Sequence, residues 1–137
     1  MKTLIVDGKD AILGRLGSYV AKELLKGNSV NVVNSEEVVI SGKKELMVEE
    51  IKVLRRKGSG GSLKGPKYIR TADRLLKRII RGMLPWDRAK GRAAHKRLKC
   101  YIGEEDFSDE EIKNKILLNH RLPKKCFKLK GVVEWLK

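Results

Sequence analysis

A chain of 137 residues with 41% hydrophobic content can bury one core but hardly two, so a single folded domain is expected over residues 1–137. Thirty-two Lys and Arg against 17 Asp and Glu leave a net charge of +15, which repels itself unless a polyanion neutralises it. No apolar run approaches the roughly 20 residues that cross a membrane, and the first seven residues lack the apolar core of a secretory signal, so a cytoplasmic protein is expected.

In chain order, residues 3–6 form a short apolar run closed by Asp7-Gly8, as a buried strand bounded by a turn would be. Leu13, Leu16, Val20 and Leu24 then recur at helical spacing, and Gly27-Asn28 supplies a stop. Residues 30–33 and 38–40 are β-branched runs with only four residues between them, a connection so short that it predicts an antiparallel pair. Residues 43–57 are helical in pattern, with Leu46, Ile51 and Leu54 as core positions. The glycine- and serine-rich stretch 58–62, running on to Gly65-Pro66, reads either as a loop that orders on a ligand or as a plain flexible connector.

Thr71 is placed to cap a helix running to Arg81, with Asp73 in its first turn and Gly82 near its stop. Ala72, Leu75, Leu76, Ile79 and Ile80 make one face; Arg70, Arg74, Lys77, Arg78 and Arg81 make the other. Leu84-Pro85-Trp86 interrupts, and a further helix is expected over 88–97, with Arg88, Arg92 and Lys96 spaced four apart on one side. Residues 98–102 regain strand character. Ser108 and Glu111 form a capping-box pair that predicts a helix through Ile112, Ile116 and Leu117. A short strand or loop from Phe127 and a last helix bearing Trp135 complete an α/β domain, with a basic insertion between the third and fourth strands.

The charge is concentrated. Residues 64–99 hold thirteen basic side chains against Asp73 and Asp87, which is +11 of the +15 and leaves +4 for the rest. Arginine supplies forked donors for phosphate oxygens, and the low aromatic content, 5%, argues for recognition of folded RNA by shape and phosphate over base reading. The candidate RNA surface therefore takes in Arg55, Arg56 and Lys57 at the end of one helix, and Lys64 and Lys67 in the loop. It continues through the basic face of the next helix and on to Arg88, Lys90, Arg92, Lys96 and Arg97. Trp86 is placed to stack on a base or to pack beside Pro85, and Gly91 to let backbone approach backbone. A basic amphipathic helix also suits a membrane surface, but here flanking strands claim its apolar side.

Other chemistry is poorly supported. Ser41-Gly42-Lys43-Lys44 lacks the first glycine of a phosphate-binding loop, where Glu37 stands, and carries Lys44 in place of the hydroxyl residue, so it reads as a strand end or helix cap. His95, Cys100, His120 and Cys126 fit no paired-ligand spacing, no metal or other cofactor is expected, and the two cysteines read as incidental thiols. The acids Glu104, Glu105, Asp106, Asp109, Glu110 and Glu111 would suit a magnesium-dependent nuclease or phosphotransferase, the principal rival, although negative charge before a helix is stabilising in its own right. A sequence-independent DNA-compacting protein is a further rival.

The run Ile80-Arg81-Gly82-Met83-Leu84-Pro85, followed by Gly91-Arg92 and then by Leu98-Lys99-Cys100-Tyr101-Ile102-Gly103, resembles the signature of the large-subunit ribosomal protein thirteen family. Leu13-Gly14-Arg15-Leu16 with Ala21-Lys22 is similar to that family's first helix. Val32-Val33-Asn34-Ser35-Glu36 with Ser41-Gly42-Lys43 is similar to its second and third strands. The resemblance covers residues 1 to about 103. It implies a three-layer α/β/α fold around a small mixed four-stranded sheet and a non-catalytic assembly role. The implied ligand is large-subunit (23S-type) rRNA, with proteins of that subunit as neighbours. It also adds Gly82 and Met83, beside Arg81, to the residues expected at RNA. Gly65-Pro66 resembles the archaeal and eukaryotic branch, whereas the loop 58–62 and everything from Glu104 onward depart from the pattern.

Overall fold

The structure is a computed structural model; it describes all residues except Ser59, Ser62, Leu63, Pro66, Lys67, Asn119 and Lys137. Strand β1 (Thr3–Asp7) is followed by helix α1 (Leu13–Leu25) and strand β2 (Ser29–Val33). A helical crossover lets consecutive strands run parallel, and β1 pairs with β2 in parallel register from Thr3 with Ser29 to Asp7 with Val33. Helix α1 buries the predicted stripe of Leu16, Val20 and Leu24 and ends in a glycine turn. Gly27 has φ +101°, and the Asn28 N–H reaches back to the Glu23 carbonyl at 3.2 Å.

Beyond β2 come a 3-10 turn (Ser35–Glu37), strand β3 (Val39–Ser41), helix α2 (Lys44–Arg56), helix α3 (Ala72–Gly82), helix α4 (Ala89–Lys96) and strand β4 (Leu98–Cys100). The chain closes with α5 (Asp109–Lys113), β5 (Ile116–Leu117), β6 (Cys126–Lys128) and α6 (Leu129–Leu136). The four-stranded sheet has the order β4-β2-β1-β5, and all three of its ladders are parallel. Helix α1 packs on β2 and meets α3 and α4, α3 packs on β4, and Val6, Val30, Val32, Leu16, Leu76, Ile80 and Leu98 are fully buried between them. The fold is the expected three-layer α/β arrangement.

Four local expectations are corrected. Strands β2 and β3 do not pair: Asn34 turns left-handed at φ 54°, the 3-10 turn redirects the chain, and β3 instead runs antiparallel to β6. The antiparallel component expected of a mixed sheet thus lies in a separate two-stranded ladder. Within α2 only Ile51 is buried, against Val132 of α6, while Leu46 and Leu54 face solvent. The capping box of Ser108 and Glu111 forms, but α5 stops at Lys113, and Ile116 and Leu117 become the edge strand β5. Thr71 occupies the N-cap of α3 without a side-chain capping bond.

Candidate nucleic-acid interface

Helix α3 divides as its spacing requires. Ala72, Leu75, Leu76 and Ile80 are buried, Arg70 just ahead of the helix and Arg74, Arg78 and Arg81 on it are exposed, and Lys77 is half-buried at the boundary. The link from α3 to α4 is built tightly. A Cβ on Gly91 would lie 1.9 Å from the Pro85 carbonyl oxygen, so only glycine lets α4 close on the linker. The Arg92 guanidinium donates to the carbonyl oxygens of Trp86 (3.2 Å) and Asp87 (3.1 Å), holding the same linker from the other end. Met83 keeps 38% of its surface exposed but lays its sulfur over α1, 2.6 Å from where a Cβ on Gly17 would stand.

Trp86 is gripped on two sides. The Arg81 guanidinium sits 4.9 Å from its ring centroid, a cation-π contact, and the His95 ring meets it edge-on at 5.2 Å. Burial holds the His95 imidazole below its ordinary pKa, and the charges of Lys77 and Arg81 push it the same way, so the ring is neutral near pH 7 and adds no cation to the surface. Beside α3 a small cavity is lined by Asp73, Arg74, Lys77, Lys99, Cys100 and Tyr101. Burial pushes the Cys100 thiol up to about 12, which leaves it protonated and unreactive. Lys99, exposed on β4, joins the basic surface here; strand alternation between buried Leu98 and half-buried Cys100 is the signal that would have identified it.

The sequence candidates fall into four groups. Arg70, Arg74, Lys77, Arg78, Arg81, Gly82, Met83, Trp86, Arg88, Lys90, Arg92 and Lys96 come together along α3, the linker and α4, nearly all of them exposed. Arg55, Arg56 and Lys57 are exposed at the end of α2, which packs on α6, so they form a separate cluster; Lys64 is exposed in the following loop. Lys67 lies outside the described residues. Two candidates point inward: Gly91 is buried under Pro85, so the backbone it approaches is its own, and Arg97 donates to the carbonyl oxygens of Leu24 (2.7 Å) and Asn28 (3.4 Å). Arg97 thereby ties the end of α1 to the start of β4.

Charge pairing separates this surface from the rest of the molecule. Among the described residues, Lys64 aside, every ion pair belongs to Lys26, Lys115 or Lys128, and no carboxylate engages the basic side chains of 55–97. The acidic segment is organised differently. Lys115 bridges Glu104 (2.6 Å) and the buried Asp7 (2.8 Å), Asn34 donates to both carboxylates, and Glu111 is spent on its capping box. Among the described residues no three His, Cys, Asp or Glu side chains converge as a metal site would need, so the hydrolytic rival gains no geometry.

The family profile described as ribosomal protein L13 matches residues 1–106. The protein named large ribosomal subunit protein uL13 from Methanopyrus kandleri is 44% identical over 106 residues, 77% of this chain and 65% of its own length, so the match spans just under two thirds of that relative. Its namesake from Methanococcoides burtonii is 48% identical over 99 residues, 72% of this chain and 70% of its own. That from Methanocaldococcus jannaschii is 41% identical over 116 residues, 82% and 85%. The matched span takes in the whole of the α3–linker–α4 surface and the buried glycine and arginine that shape it, and on that ground the chain belongs to the ribosomal protein L13 family.

Proposed function

We propose that the chain is a structural, non-catalytic constituent of the large ribosomal subunit, one domain over residues 1–137, working on cytoplasmic ribosomes. It binds 23S-type rRNA through the outward side of α3 and α4 and supports subunit assembly beside other large-subunit proteins. The observation that carries this reading is the set of exposed arginines on α3 that, among the described residues, no carboxylate engages, set on a helix whose other side is locked into the core. Such groups gain most by displacing counterions from phosphates. Because they sit on a packed helix, their spacing is held by the fold, which suits fixing the relative placement of RNA segments. Arg92 and Gly91 serve by shaping the linker that carries Trp86 and Arg88, and Arg97 by bracing α1 against β4.

The test is sedimentation. The chain should travel with large subunits and stay with them through moderate salt washing, and structured rRNA should displace it from duplex DNA at matched salt. Release at the first wash, or equal competition by duplex DNA, would point instead to non-specific polyanion binding.

A further inference from the structure

Helix α2 carries more apolar surface than the fold consumes. Ile51 fills the contact with α6, while Leu46, Val53 and Leu54 remain 59%, 51% and 47% exposed. They are contiguous: with Glu49 and Glu50 they line one surface hollow, and Val53 and Glu49 also border a second, closed by Trp135 under the Lys52 ammonium at 4.9 Å. Single exposed apolar residues are ordinary, but an apolar stripe along one helix face marks a contact surface.

The rim says what kind. The hollow between Leu46, Val53 and Leu54 is rimmed by Glu49 and Glu50, both exposed and, among the described residues, in no ion pair, whereas the hollow beside Trp135 is mixed in charge, with Lys44, Lys52 and Arg56 next to Glu45 and Glu49. Carboxylates repel a phosphate backbone and an anionic lipid surface alike, in contrast to the α3–α4 side of the same molecule. A second copy of a chain with net charge +15 is disfavoured by mutual repulsion. What complements two carboxylates around leucine and valine is a polypeptide carrying both cationic and apolar side chains.

We propose that the face of α2 bearing Leu46, Val53 and Leu54 docks a cationic segment of another large-subunit protein, which seats apolar side chains between those three and pairs its charges with Glu49 and Glu50. This rests on the reading that the chain is part of the large subunit. It separates the molecule into an RNA side on α3 and α4 and a protein side on the face of α2 that bears Leu46, Val53 and Leu54, apart from the cations at that helix's end.

The experiment is photo-crosslinking from this face in assembled subunits. Val53→Cys, in a Cys100→Ser/Cys126→Ser background that leaves one thiol, is labelled with a benzophenone maleimide and the full chain is incorporated into subunits. Irradiation should join the chain to a basic protein, and adding Glu49→Lys and Glu50→Lys should cut the yield by about fivefold or more, since like charges across an interface repel. Crosslinks to RNA or to a second copy, or none in subunits that retain the label, overturn the proposal. If the labelled chain is excluded where the unlabelled one enters, the unlabelled Glu49→Lys/Glu50→Lys chain should be excluded too, and its normal entry overturns the docking. Exclusion of the unlabelled parent itself would sink the ribosomal reading, and the docking with it.

Discussion

Gly91 lies against Pro85 so closely that a methyl group would stand 1.9 Å from the Pro85 carbonyl oxygen and 2.4 Å from its carbon, and both obstacles are backbone, which cannot swing aside. Gly91→Ala must therefore push α4 off the linker. We expect a stability loss of about 1–3 kcal/mol by urea denaturation, together with weaker RNA binding as Arg88 and Arg92 lose register. Gly82→Ala is the control: nothing stands within 4 Å of its Cβ position, and a helical glycine replaced by alanine gains about 0.5–1 kcal/mol. Equal stability of Gly91→Ala and the parent would refute the close approach.

Arg97 separates structural cations from ligand-facing ones. Its bonds to Leu24 and Asn28 join groups 73 and 69 residues away in sequence. Arg97→Met keeps the apolar stem but leaves both carbonyls without that donor, costing about 1.5–3 kcal/mol for bonds to a charged group. The salt dependence of RNA binding should not change. A slope as flattened as that of a helix α3 variant would place Arg97 at the ligand after all.

That residue also marks where reading the chain alone runs out. The periodicities of α1, α3 and α4 place those helices within a residue or two, because their buried positions recur every 3.6 residues against one core. Ile112 and Ile116 have the same four-residue spacing, yet Ile116 sits in a two-residue strand that pairs with Val6 and Asp7 at the far end of the chain and packs on the core. Strand β3 likewise answers to β6, more than eighty residues on. Charge density exposed the basic surface directly, but whether a given Arg points outward, or a given Gly faces a ligand or its own chain, depends on partners far away in sequence. Leu46 and Leu54 in α2 show the same ambiguity, since an amphipathic stripe looks identical whether it is buried by the fold or left for a partner.

Asp7 is 3% exposed, and its carboxyl feels burial first, which raises its pKa. The bonds from Lys115, Asn34 and the Lys9 N–H outweigh that and hold the group below its ordinary value of 3.8. A depressed carboxylate contributes stability that is complete above its unfolded value and drains as pH falls below about 3.8. Lys115, raised above 10.5 chiefly by Asp7 and then by Glu104, contributes stability that is complete below 10.5 and drains as pH rises through its folded value. Lys115→Met removes the main counterweight to burial. Its ammonium is partly solvated, so the expected loss at pH 7 is at the low end for a broken buried pair, about 2–3 kcal/mol. The gap between variant and parent, followed by urea denaturation, should narrow below pH 4; a gap independent of pH would mean that Asp7 is not the group that Lys115 stabilises.

The α3 arginines bear on the central mechanism. Arg74, Arg78 and Arg81 are exposed on successive turns, and among the described residues no carboxylate holds them. If each neutralises one phosphate, the slope of log affinity against log salt should flatten by about 0.9 per arginine on duplex RNA and about 0.7 on single strands, hence by roughly 2–3 for the triple alanine variant. Arg81→Ala alone should also release Trp86 from its cation, shifting the indole fluorescence of the free protein, whereas Arg74→Ala and Arg78→Ala should leave that signal alone. Helical content ought to be unchanged throughout, since the three side chains take no part in the core. A triple variant that keeps the parental slope would move the phosphate contacts off α3, leaving the cluster at the end of α2 as the next surface to test.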